Sequence, residues 1–202
     1  MRPARYGWLV GVVALVALAY ILLNTLRTEG VGSAGPRVGS ELPPFAAPLA
    51  TSSLEGDVNV ARRAGQGAAG SRPACELRGP DIVSSCRLAE RGPVAIAFFF
   101  TRGARCVDDL DRLERALRRH PDVQAAAVAI RVDRAEVRRL VRAHRWSFPV
   151  AWDHDGVLAN VYGVAGCPHM TLAGRDGRVR QTLLGRQDDR ALDRALAALE
   201  RG

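Results

Sequence analysis

Val94–Phe100 (VAIAFFF) is an unbroken apolar run, the pattern of a strand covered on both faces. Strands of that kind belong to sheets whose parallel members are joined by helices. The next segments of the chain fit that reading. Residues 106–119 place Val107, Leu110, Leu113, Ala116 and Leu117 on one helical face, and Pro121 ends the helix. Val123–Ile130 (VQAAAVAI) then reads as a second buried strand.

The alternation continues to the end of the chain. Asp133-x-x-Glu136 is a capping-box start for a helix that buries Val137, Leu140 and Val141. Pro149–Trp152 reads as a short strand and Gly156–Gly163 as a short helix. His169–Ala173 and Val179–Leu184 are strands separated by Arg175-Asp176-Gly177, a hairpin signal. A last helix turns Leu192, Leu196 and Leu199 inward. Upstream, Pro43–Leu49 reads as extended. Residues 52–73 are polar and without period, and read as a flexible surface insertion. Cys75–Leu77 and Val83–Leu88 flank the turn Arg78-Gly79-Pro80-Asp81, which predicts a hairpin. This order predicts a three-layer α/β sandwich: a central mixed sheet, parallel through the helical part, with helices on both faces.

Ahead of this domain, Trp8–Leu26 is free of charge and would make a helix about 28 Å long. The sequence therefore predicts a membrane anchor over residues 1–27, a Gly/Ser-rich linker over 28–40 and a folded domain over 41–202. Arg2 and Arg5 precede the apolar stretch, which favours a cytoplasmic N-terminus and a single-pass cell-membrane protein with an extracytoplasmic C-terminal domain. The competing reading is a signal peptide cleaved near Gly32-Ser33-Ala34, against which the length of the apolar stretch counts.

The net charge of +8 does not point to nucleic acid. Every basic residue is arginine, spread through helices beside Asp and Glu, and 5% aromatic content leaves no stacking platform. The four cysteines, Cys75, Cys86, Cys106 and Cys167, all fall in the part expected to be exported, where two disulfides are allowed. Spacing alone permits all three pairings. No C-x2-C pair or Cys/His cluster has zinc spacing, so no metal is expected.

The chain resembles the membrane-anchored thioredoxin-like proteins of the TlpA/ResA and AhpC/TSA (redoxin) group, over roughly residues 36–202. Val38-Gly39-Ser40-Glu41-Leu42-Pro43-Pro44-Phe45 is similar to that group's opening motif, and Leu88–Phe99 to its strand entry. Asp153-His154-Asp155-Gly156 through Tyr162-Gly163-Val164 is similar to its D-x-x-G…Y-G-V. Gly166-Cys167-Pro168, with Arg175-Asp176-Gly177 after it, is similar to its cis-proline loop and hairpin. The resemblance implies a thioredoxin-like fold with Pro168 as the cis-proline. It also exposes a departure. Aligning Phe98–Phe99 on the group's F-W puts Gly103 where the nucleophilic cysteine of C-x-x-C belongs and Cys106 on the second cysteine. In such a fold the cis-proline loop packs on the start of the active-site helix, so the resemblance implies that Cys167 lies near Cys106.

A thiol attacks as thiolate, and Cys106 has the N-terminus of its helix, Arg102 and Arg105 to stabilise the charge, with Asp108 and Asp109 opposing. His169 is expected to add a positive charge or shuttle a proton. The order of attack is open and leans to Cys106. Cys75 and Cys86 flank the expected turn and would form a structural disulfide across it. The leading expectation is a membrane-tethered thiol–disulfide oxidoreductase acting on protein thiols and disulfides, with a partner dithiol protein exchanging electrons and no metal or organic cofactor. One alternative is a peroxiredoxin-like antioxidant, against which the absence of T-x-x-C counts. Another is a redox-silent thioredoxin-fold binding module, which Gly103 favours.

Overall fold

The computed structural model describes residues 4–27, 34–66, 70–101 and 106–202; within the first of these, side chains are described for 8–22. The chain divides into two units, Met1–Gly32 and Ser33–Gly202. The first contains α1 (Ala4–Arg27), whose side chains over 8–22 are all exposed, Trp8, Leu15 and Tyr20 among them. Among the described residues no helix is long and apolar enough to cross a membrane. The expected span Trp8–Leu26 falls on α1, and residues 28–33 of the linker expected over 28–40 lie outside the described residues.

The second unit is built on a sheet of five strands: β3 (Val94–Phe99), β4 (Gln124–Ile130), β5 (Val150–Asp153), β6 (His169–Ala173) and β7 (Val179–Leu184), in the order β5-β4-β3-β6-β7. β3, β4 and β5 run parallel, whereas β6 and β7 are antiparallel to their neighbours. The helices α3 (Cys106–Leu117) and α4 (Arg134–His144) connect the parallel strands, and α6 (Asp189–Arg201) closes the chain. Right-handed crossovers that advance in one direction put their helices on one face. Leu110, Leu113, Val137, Leu192, Leu196 and Leu199 accordingly share one core cluster. The other face is covered by Leu42, Phe45, Leu158 and Tyr162, from the N-terminal segment and α5 (Val157–Val161). This is the mixed sheet with helices on both faces that the sequence predicts.

Strand alternation gives the two faces different textures. Toward α3 and α6, β3 and β4 present Ala95, Ala97, Ala125, Ala127 and Ala129, with Phe99 at the end. Toward the other face they present Val94, Ile96, Phe98, Val128 and Ile130. The near-bare face lets helices lie close to the strand backbone.

The capping signals act as their chemistry requires. The Asp133 carboxylate accepts a hydrogen bond from the Glu136 N–H at 3.0 Å, and that of Asp188 accepts from Ala191 N–H at 2.6 Å. Asp153, fully buried, accepts from the N–H groups of Val157 and Leu158, both at 2.9 Å, and so starts α5. Burial raises its carboxyl above the ordinary aspartate range, and the backbone donors only partly offset this.

The hairpin expected over 75–88 is not formed. Ile82–Ser84 (β2) pairs instead with Ala46–Pro48 (β1), Cys75 lies in a single turn of 3-10 helix, and Cys86 lies in the short helix α2 (Ser85–Ala89). The chain does turn at Pro80 and Asp81, but β2 finds its partner far upstream. Ser85 fixes that partnership by accepting from Phe45 N–H at 2.9 Å and donating to the Pro43 carbonyl at 3.2 Å. Within residues 52–73, Val58, Asn59 and Ala61 are buried, and Asn59 bonds Ala46 backbone-to-backbone in both directions.

Candidate active site

The site is set by strand register. β3 and β6 are antiparallel neighbours, with Phe98 opposite His169. The end of β3 therefore lies beside the start of β6. The chain leaves β3 and, after residues 102–105, begins α3 at Cys106, while Cys167 and Pro168 lead directly into β6. Cys106 and Cys167 are thereby brought together despite a separation of 61 residues, with Cα atoms 5.7 Å apart and the sulfurs joined as a disulfide. The Cys167–Pro168 peptide is cis. Cys106 is 2% exposed and packs with Leu110 and Met170, whereas Cys167 is half-buried. The order of exposure opposes the sequence's leaning toward Cys106 as the attacking thiol.

Cys75 and Cys86 form the second disulfide, with Cα atoms 5.4 Å apart. It joins the 3-10 turn to α2 and not two strands of a hairpin.

His169 does not do what the sequence suggests. Its side chain lies on the sheet face of Phe98, with ring centroids 5.5 Å apart edge-to-face, opposite the face that packs Cys106. It is 1% exposed and neither ring nitrogen has a hydrogen-bond partner. Burial pushes its pKa down to about 4, so the ring is neutral at pH 7 and supplies no charge to the thiols. Arg102 and Arg105, together with Gly103, lie outside the described residues.

Among the described residues, a charged group gathers beside Pro168. Asp109, one turn into α3, has Arg112 and Arg186 each at 3.7 Å, and Arg186 also approaches Asp108 at 3.9 Å. Burial holds the Asp109 carboxyl above its ordinary range, the two guanidinium groups pull it down, and Asp108 adds to the rise. Asp109, Arg112 and Pro168 line one small cavity of about 20 Å³, enough for a single water. Sequence reasoning singles out neither Arg186 nor Arg112. Arg112 reads as one of many arginines on a solvated helix, and Arg186 joins it only because β7 returns the chain to α3, which no local pattern announces.

A cleft of about 470 Å³ opens at the same end of the sheet. Phe100, Thr101, Arg131 and Asn160 line it, together with Val164 and Ala165 just before Cys167. Among the described residues no group of His, Cys, Asp and Glu is placed to hold a metal ion.

No family model matches the sequence, and no curated protein matches it. Solved structures do. A thiol:disulfide interchange protein of the thioredoxin family from Chlorobium tepidum superposes with a TM-score of 0.60 at 13% identity, covering 82% of this chain and 99% of that one. The fold is thioredoxin-like. The thioredoxin domain of a thiol-disulfide oxidoreductase from Bacteroides vulgatus gives 0.56 at 17% identity over 82% and 99% of the two chains. A secreted Mycobacterium tuberculosis disulfide oxidoreductase homologous to E. coli DsbE gives 0.54 at 20% identity over 59% and 90%. Within this thioredoxin-like fold, Cys106 and Cys167 occupy the junction of β3, α3 and β6.

Proposed function

We propose that the protein is a thiol–disulfide oxidoreductase whose redox couple is Cys106 and Cys167. The observation that carries this is their pairing from the start of α3 and the segment before β6, with Cys167 half-buried, two residues from the cleft-lining Ala165, and Cys106 buried. In the reducing direction, the Cys167 thiolate attacks one sulfur of a substrate disulfide. That disulfide breaks, a mixed disulfide forms, and the departing substrate thiolate takes up a proton. The Cys106 thiolate then attacks the Cys167 sulfur, releasing the second substrate thiol and leaving the protein disulfide. Two electrons pass to the substrate, and a partner dithiol protein restores the reduced pair. The same steps run backward oxidise a substrate dithiol. The structural relatives described as thiol:disulfide interchange proteins and oxidoreductases support this class of chemistry.

The tether is part of the proposal. The apolar stretch Trp8–Leu26 anchors the chain in the cell membrane with its N-terminus cytoplasmic, and residues 41–202 work on the extracytoplasmic side, where the Cys75–Cys86 disulfide persists.

Alkylation and peptide mapping across a glutathione redox series tests the couple. The Cys106–Cys167 bond is expected to open under mildly reducing conditions while Cys75–Cys86 stays closed. Free, unreactive thiols at 106 and 167, or a bond that resists reduction as Cys75–Cys86 does, would sink the proposal.

A further inference from the structure

The opposite end of the sheet carries a second cleft, of about 510 Å³, where β4 and β5 begin and α3 ends. β3 is six residues long, so about 20 Å of sheet separates this end from the thiol pair. Its walls are mixed: Ile82, Leu88, Leu117, Val123 and Phe148 contribute apolar surface, beside polar Ser84, Gln124 and Ser147. Three arginines line it, Arg87 and Arg91 from α2 and its end, and Arg118 just beyond α3, and no carboxylate does.

Elsewhere among the described residues, several arginines do meet a carboxylate. Arg119 meets Asp193, Arg175 meets Asp122, and Arg180 meets Asp176. Two acids adjacent in sequence to cleft residues are held by other arginines. Glu90, between Arg87 and Arg91 in sequence, is taken by both guanidinium nitrogens of Arg78 at 2.6 and 2.7 Å. Asp122, next to Val123, is held by Arg175 at 3.2 Å. Among the described residues Arg91 has no ion pair, and the hydrogen bond of Arg87 goes to the Gly79 carbonyl at 2.8 Å. Arg118 has Glu114 Oε1 at 3.7 Å, beyond hydrogen-bond distance, while Oε2 of that carboxylate accepts from Ser147 N–H and the Ser147 hydroxyl.

An independent feature points the same way. Ser84, 2% exposed and lining this cleft, has a buried hydroxyl with no hydrogen-bond partner. It sits at the N-cap position of α2 yet makes no cap bond. Leaving a buried hydroxyl unpaired costs free energy that a ligand acceptor or donor recovers. Guanidinium groups bind phosphate and carboxylate in forked geometry, and the apolar part of the wall suits whatever carries the anion.

We infer that this cleft is a binding site for a small anion, a phosphate or carboxylate on an apolar body, held by Arg87, Arg91 and Arg118 with the Ser84 hydroxyl. The site is separate from the thiol pair and does not depend on its redox activity. Calorimetric titration of the full-length protein tests it with phenyl phosphate, benzoate, inorganic phosphate and neutral benzyl alcohol as probes. Saturable binding of phenyl phosphate or benzoate is expected, tighter than that of inorganic phosphate, with benzyl alcohol failing to bind. The tighter of the two organic anions then assigns the charged group. Arg91→Gln, which breaks no ion pair, should weaken binding at least fivefold, and Arg190→Gln on α6 should leave it unchanged. Ser84→Ala should weaken binding while leaving thermal stability equal or higher, because its hydroxyl has no partner to lose. No saturable binding of any anion, or equal affinity in Arg91→Gln and the parent, would overturn the inference. So would a Ser84→Ala variant that binds normally.

Discussion

Phe98 on β3 stands directly opposite His169 on β6, their rings edge-to-face with centroids 5.5 Å apart. This pairing fixes the register that delivers Cys167 to the side of Cys106. It also buries an imidazole with nothing to bond, which makes the strand pair sensitive to acid.

The folded protein declines a proton at His169 until the pH falls to about 4, whereas the unfolded chain accepts one near 6.5. Stability from this group is therefore complete above pH 6.5 and is lost as the pH falls through that window, by up to roughly 3 kcal/mol. Urea midpoints measured between pH 7 and pH 4 should fall more steeply for the parent than for His169→Leu. Parallel curves would show that His169 carries no such penalty.

His120 should behave in the opposite sense. Its burial lowers the pKa, but the carboxylates of Glu200 at 2.8 Å and Asp193 at 3.0 Å outweigh this and raise it overall. A raised histidine stabilises the fold below its unfolded pKa, and that contribution is lost as the pH rises through the folded value. Histidine ring resonances followed by NMR should place His120 above 6.5, and Glu200→Gln should bring it down. A titration unmoved by that change would refute the role of Glu200 in tying α6 to the end of α3.

In the reduced protein, Cys167 should alkylate faster than Cys106, by roughly tenfold or more, because reaction requires an accessible thiolate. Peptide mapping after brief iodoacetamide exposure gives the ratio directly. Cys106→Ser should correspondingly accumulate a mixed disulfide at Cys167 with a glutathione or protein disulfide. Equal labelling, or faster labelling of Cys106, would reverse the proposed order of attack.

Tyr162 is fully buried and donates to the Pro43 carbonyl at 2.6 Å, tying α5 to the segment before β1. The same carbonyl accepts from Ser85, so Tyr162→Phe leaves it with a partner. The expected cost is about 1 kcal/mol in a chemical denaturation experiment, at the modest end for a buried hydrogen bond. A loss of several kcal/mol would mean that the two bonds act as a unit.

Much of this fold is legible because its elements bury themselves with plain periodicity. VAIAFF is buried along its strand, and Leu192, Leu196 and Leu199 all face the core. Asp133 caps α4 through the spacing that announces it. The β1–β2 pair escapes the sequence because three-residue strands carry no period, and Ser85 reads as one residue of the expected Val83–Leu88 strand until Phe45 is beside it. The site is legible in part. The resemblance brings Cys106 and Cys167 together, but for His169 the sequence offers only its place beside Pro168. Alternation along β6 turns its side chain to the face away from Cys106, where burial removes its charge. The contact of Arg186 with Asp109 depends on tertiary packing alone, and Arg186 looks like any other arginine in a chain with 29 basic residues.

The alanine-lined face of β3 and β4 sets a tolerance on the chemistry. With methyl groups at Ala95, Ala97, Ala127 and Ala129, the distance between α3 and the strands is fixed by the smallest side chains that can still exclude water. Cys106 rides on the first turn of that helix, so its sulfur stands at a height above the sheet that the alanines determine, while Cys167 is positioned by β6 independently. A larger residue beneath the helix would lift one sulfur and leave the other in place. The reach of the pair is thus written into residues that never touch a substrate.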